Sequence, residues 1–125
     1  MKGAYILSDD STLFESVKKT LVRAGAQAYG DMVQLQDGGY LFTVFSELHD
    51  GDLYDLQTPP IAVRGSLVAP ETNGMTACSV ECRSETLFST WMHRLSDALT
   101  TQLWVLDGNG VLWTASSVTA DEIIL

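Results

Sequence analysis

Apolar residues recur along this chain with two periods, and the switches between them predict its elements. Residues 3–8 put Tyr5 and Leu7 on one side of an extended run and Ile6 on the other, apolar on both faces as an inner strand is. The period then lengthens. Leu13, Phe14, Val17 and Leu21 fall on one face of a helix, with Thr12 and Glu15 at capping-box spacing. Lys18, Lys19 and Arg23 suit the negative end of its dipole, and Gly25 stops it. Residues 31–35 and 40–46 return to period two around Asp37-Gly38-Gly39. A two-residue Asp37-Gly38 loop sets Leu35 opposite Tyr40 and Val33 opposite Phe42.

Past Thr58-Pro59-Pro60, which forbids helix, residues 61–68 and 75–82 read as strands able to pair as a second hairpin. Ser84 caps a second helix whose stripe is Leu87, Phe88, Trp91, Met92, Leu95, Ala98 and Leu99, with His93 on its polar, solvated side. Residues 103–106 and 111–114 then flank Asp107-Gly108-Asn109-Gly110. Taking Gly108-Asn109 as the loop sets Trp104 opposite Trp113, stacked on one face. Thr119 to Glu122 can form a single helical turn before the apolar end.

The predicted order is therefore β-α-β-β-β-β-α-β-β. Strand and helix do not alternate as a doubly wound sheet requires. The fold class expected is α+β, a largely antiparallel sheet of about seven strands with both helices packed on it. The 125 residues suit one domain, 1–125, with a core large enough to fold unaided.

One stretch departs from this regularity. Residues 47–60, ELHDGDLYDLQTPP, scatter Glu47, Asp50, Asp52 and Asp55 among Leu48, Leu53, Tyr54 and Leu56, and read as a long loop displaying charge. Between positions 24 and 63 the acids are Asp31, Asp37, Glu47, Asp50, Asp52 and Asp55, and no lysine or arginine accompanies them. Between positions 95 and 125 Asp97, Asp107, Asp121 and Glu122 are likewise without bases. The net charge of −9 and a pI near 4.3 argue against nucleic acid, whose phosphates need clustered cations, and against an anionic membrane surface. They favour a basic protein partner.

Cys78 and Cys82, on one face of a strand about 13 Å apart at roughly 3.3 Å per residue, are too distant for a disulfide. Free thiols and an N-terminus with neither signal-peptide nor membrane-span character point to a cytoplasmic protein.

Candidate chemistry is sparse. Asp9 and Asp10, between a strand and a helix, resemble the acidic pair that holds magnesium in response-regulator receiver domains. That resemblance ends with the first helix: no phosphoacceptor strand follows, and helix capping accounts for both residues. His49 with Asp50, Asp52 and Asp55 has the makings of a metal site but lacks the EF-hand spacing and its closing glutamate. No nucleophile elbow, cysteine signature or phosphate loop is present, so no catalytic residue, cofactor or metal is assigned and the chain is expected not to be an enzyme.

A small acidic α+β chain with free cysteines, carrying ETLFSTWMHRLSDALTTQLWVLDGNGVLW as a helix followed by a hairpin, resembles the immunity proteins of bacterial polymorphic and contact-dependent toxin systems. The resemblance implies a non-enzymatic inhibitor that binds a cognate toxin, often a basic nuclease. The residues assigned to the contact are Glu47, Asp50, Asp52, Leu53, Tyr54 and Asp55, the apolar ones as anchors if they face outward. The alternatives are a small acidic secretion or assembly chaperone that holds an extended partner segment along a sheet edge and, ranked below it, a receiver-like regulator.

Overall fold

The computed structural model describes residues 3–48, 50–66, 68–72 and 74–125, and for Asp50, Leu53 and Tyr54 the main chain alone. The strands are β1 (Gly3–Ser8), β2 (Gln27–Tyr29), β3 (Met32–Asp37), β4 (Tyr40–Phe45), β5 (Ala62–Arg64), β6 (Thr76–Cys82), β7 (Trp104–Leu106) and β8 (Val111–Thr114). The helices are α1 (Leu13–Arg23), α2 (Asp50–Gln57) and α3 (Glu85–Ala98). All eight strands join one sheet in the order β2-β3-β4-β6-β1-β7-β8-β5, antiparallel throughout except for β5 beside β8. The α+β architecture is the expected one, with a short edge strand, β2, and a third helix added.

The sheet's two faces are covered unequally. On one, Leu13, Val17 and Leu21 of α1 and Leu87, Phe88, Trp91, Met92 and Leu95 of α3 pack on Ala4, Ile6, Val33, Leu35, Phe42, Val44, Cys78, Val80 and Cys82. Phe42 sits at the centre, its ring 6.1 Å from Phe88 and 6.3 Å from Trp91. On the other face Leu7, Trp104, Leu106 and Leu112 form a smaller cluster, which Tyr5, Val63, Met75 and Leu56 of α2 extend. β1 serves both clusters, which is why it is apolar on both sides. One cost inside the larger core is the buried Trp91 indole N–H, which finds no acceptor among the described residues. Such an orphan donor costs about 1–3 kcal/mol.

Several local expectations need correction. The first hairpin turns on Gly38-Gly39, not Asp37-Gly38: Asp37 pairs with Tyr40, Leu35 with Phe42 and Val33 with Val44. Both glycines have positive φ, 59° and 84°, as a tight two-residue turn requires and as glycine adopts without steric cost. The slip is two residues, so the buried face is unchanged. In the second hairpin the slip is one residue. Its loop is Gly108-Asn109-Gly110, closed by the Asp107 N–H donating to the Val111 carbonyl at 3.0 Å, with Gly110 at φ 81°. Trp104 therefore lies opposite Thr114 and Val105 opposite Trp113. The two tryptophans occupy opposite faces and do not stack, because one residue of shift reverses every side chain.

The strands predicted at 61–68 and 75–82 do not pair. β6 has both edges filled, by β1 and β4, while β5 runs beside β8 at the sheet's far end, where the Ile61 N–H donates to the Gly110 carbonyl at 3.0 Å. Position 67 of the first predicted strand, and position 73 of the loop between the two, lie outside the described residues. The capping box before α1 does not form, since Thr12 makes no side-chain cap; Ser84 does cap α3, accepting from the Leu87 N–H at 3.1 Å. The turn at 119–122 is present, with the Ile123 N–H donating to the Thr119 carbonyl at 3.0 Å.

Candidate functional site

The stretch expected to be a loop folds into α2 and lies across the sheet face opposite α1 and α3. Pro59-Pro60 ends it within two residues of its last turn, for want of a main-chain donor. Leu56 turns inward onto the Leu106 and Leu112 cluster, so it is an anchor to the sheet rather than to a partner. Asp52 and Asp55, three residues apart, share one side of the helix and meet the same group: the Tyr5 hydroxyl donates to Asp52 Oδ1 at 2.6 Å and is 3.2 Å from Asp55 Oδ2. A hydroxyl has one proton, so the shorter bond is the principal one. Burial, then the Asp52 hydrogen bond and charge, push the Tyr5 hydroxyl well above its ordinary range and keep it a donor.

Beside this pair a cleft of about 370 Å³ opens between α2, the start of β1, the end of β6 and the β7–β8 turn. Asp52, Asp55, Glu81 and Asp107 contribute to its lining, which among the described residues includes no lysine or arginine. Asp107 is already committed. Its Oδ1 accepts from the main-chain N–H groups of Asn109 and Val111 at 2.9 and 3.0 Å, and its Oδ2 from the Trp113 indole N–H at 3.0 Å. Asp55 is exposed, and Glu81 and Asp52 are half-buried. The arrangement suits a cationic group entering from solvent.

Of the residues assigned to the contact from sequence, Asp52 and Asp55 are brought together, and Glu47 is exposed ahead of α2, outside the cleft. Asp50, Leu53 and Tyr54 belong to α2 by their main chain, but their side chains, like His49, lie outside the described residues. Tyr5 and Glu81 were missed. Tyr5 did carry a signal: a tyrosine on an inner strand needs a partner for its hydroxyl. Nothing local said that the partner lay 47 residues away.

The remaining candidates are structural. Asp10 accepts from the Thr12 hydroxyl and N–H at 2.7 and 2.9 Å, bonds that hold its carboxyl below the usual range. β1 has antiparallel neighbours on both sides, unlike the parallel sheet of a receiver. Among the described residues no three of His, Cys, Asp and Glu gather as metal ligands. His93 is exposed, yet it is tied by its Nε2, 2.8 Å from the Val118 carbonyl oxygen. Among the described residues no helix is long and apolar enough to cross a membrane.

Cys78 and Cys82 are buried and are not joined in a disulfide. Burial pushes the Cys78 thiol from 9.0 up to about 12, so the unfolded chain loses this proton first as pH rises. The stability it contributes is complete below pH 9.0 and falls away toward pH 12. A Cys78→Ala variant should therefore show a shallower decline in urea midpoint from about pH 9 to 11 than the parent. Equal declines in the two proteins would contradict this.

The site is thus an acidic cleft borne on one face of the sheet. Comparison of the chain with protein-family models, curated proteins and solved structures returns no match in any of the three.

Proposed function

We propose that this chain is a non-enzymatic inhibitor of the immunity-protein type, which acts in the cytoplasm and neutralises a basic toxin domain through the acidic face carried by α2. The observation that carries this reading is the cleft beside Tyr5, which Asp52, Asp55 and Glu81 line with no base among the described residues. A lysine or arginine of a partner would meet carboxylates there, and the net charge of −9 would steer it from a distance. Tyr5 supports the arrangement by bonding Asp52 and so tethering α2 to the sheet. The chaperone alternative gains less support, because the edge strands β2 and β5 offer only three residues each to an extended segment.

Co-expression and pull-down with the product of the adjacent upstream gene tests the proposal. Capture of that product together with protection of the host is expected, and failure of both would sink it. Within such a complex, Asp50→Lys, Asp52→Lys and Asp55→Lys combined should slow association by about tenfold or more at low salt and flatten its salt dependence. Association rates equal to the parent's would move the interface off α2.

A further inference from the structure

On the covered side of the molecule, away from the acidic cleft, α1 and α3 leave a hollow of about 570 Å³ between their C-terminal halves. Ser16, Lys19, Thr20 and Arg23 reach it from α1, repeating at the helical spacing that follows once Leu13, Val17 and Leu21 are turned to the core. Trp91 and Arg94 reach it from α3. Three of the chain's seven bases thus gather at one place on a protein of net charge −9.

Pairing within the fold does not explain the cluster. Lys18 takes Glu15 at 3.6 Å and Arg64 takes Glu122, but among the described residues no carboxylate comes within ion-pairing distance of Lys19, Arg23 or Arg94. Compensation of helix dipoles accounts for Arg23 alone, since α3 has no base in its last turn and Arg94 stands a turn earlier. The two C-terminal poles subtract about one unit of charge, against three full positive charges. The end of α1 is also closed, the Leu21 and Val22 carbonyls accepting from Ala24, Gly25 and Ala26 at 3.0 Å, so these oxygens do not confront an incoming anion.

The donors have suitable geometry. Arg94 lies over the Trp91 ring at 5.1 Å, a cation–π contact that holds the guanidinium at the hollow. Thr20 gives its proton to the Ser16 carbonyl at 3.0 Å, leaving the donor work to the charged groups and the Ser16 hydroxyl. Ala98 and Leu99 supply an apolar wall, while Trp91, 3% exposed, lies beneath Arg94.

We propose that this hollow binds the phosphate group of a small molecule, with Arg23 and Arg94 donating N–H pairs, Lys19 adding a third charge and the carrier's body resting on the Ala98 and Leu99 wall. A tetrahedral dianion can use several converging cations at once, whereas a lone carboxylate is satisfied by one arginine. The site is separate from the acidic face, so it stands or falls independently of the toxin-inhibitor reading.

The test is an NMR titration of the full chain with inorganic phosphate and with phenyl phosphate, at ionic strength held constant with sodium chloride. Saturable shifts are expected at the Trp91 indole N–H and the Ala24 and Leu99 amides, with the Trp113 indole, bonded to Asp107, unmoved. Phenyl phosphate should bind more tightly than phosphate if the wall is used. Arg23→Gln with Arg94→Gln should weaken binding at least about tenfold. Arg64→Gln with Arg83→Gln, an equal change of charge elsewhere, should leave it within about twofold. Non-saturating shifts, equal response to chloride, or equal losses in the two double variants would overturn the proposal.

Discussion

Replacing Asp107 with alanine is expected to destabilise the protein by about 3–5 kcal/mol, a large part of the roughly 5–15 kcal/mol that holds a domain of this size. The residue is 5% exposed, and its carboxylate satisfies three donors, two main-chain N–H groups of the β7–β8 turn and the Trp113 indole. Alanine would leave all three without an acceptor in a place water reaches poorly. Asp107→Asn is more informative still. Its amide keeps one oxygen but presents an NH₂ to a donor, so it should also destabilise, by about 1–3 kcal/mol. In a Trp113→Phe background, where the indole donor is gone, the asparagine should cost less. Urea midpoints of the four proteins give the coupling directly, and full additivity would show that the Asp107–Trp113 bond contributes nothing.

Phe42→Ala should cost about 3–5 kcal/mol for a different reason, the cavity left where β4 meets α3. Phe42 is 0% exposed and packs on the rings of Phe88 and Trp91. Two residues earlier on the same strand and face, Tyr40 is 49% exposed, and Tyr40→Ala should change stability by no more than about 0.5 kcal/mol. The pair tests the observed register, in which Phe42 stands opposite Leu35 and Tyr40 opposite Asp37 beside the turn. Comparable losses at the two positions would contradict it.

The elements most legible in the sequence were those whose evidence is local. Leu13, Val17 and Leu21 declare α1 by spacing alone, the stripe from Leu87 to Leu95 declares α3, and apolar residues on both sides of β1 declare an inner strand. The short elements were not legible: β2 has three residues, too few to show a period, and α2 hid within an acidic stretch that looked like loop. At the candidate site the acids Asp52 and Asp55 were visible, but Tyr5 and Glu81, which complete the cleft, were not. The basic hollow was half visible. Lys19 and Arg23 were noticed as dipole partners, while Arg94 joins them only because α1 and α3 pack side by side.

Sequence by itself determined the α+β class, the two long helices, the buried faces of most strands, the unbridged cysteines and the segregation of acids, because side-chain periodicity and charge are properties of neighbouring residues. Tertiary structure alone decided the strand partners and the side on which each turn delivers its chain. β5 could have closed a hairpin with β6 but instead lies parallel to β8, since β6 had both hydrogen-bonding edges filled. Asp107 binding the turn, with Gly110 admitting its left-handed residue, set a three-residue loop and so sent Trp104 and Trp113 to opposite faces. Residues 47–60 changed most: chain distant in sequence supplied Tyr5 and the Leu106 and Leu112 cluster, and that nonlocal packing made a charged stretch into a helix tethered to the sheet through Asp52 and Leu56.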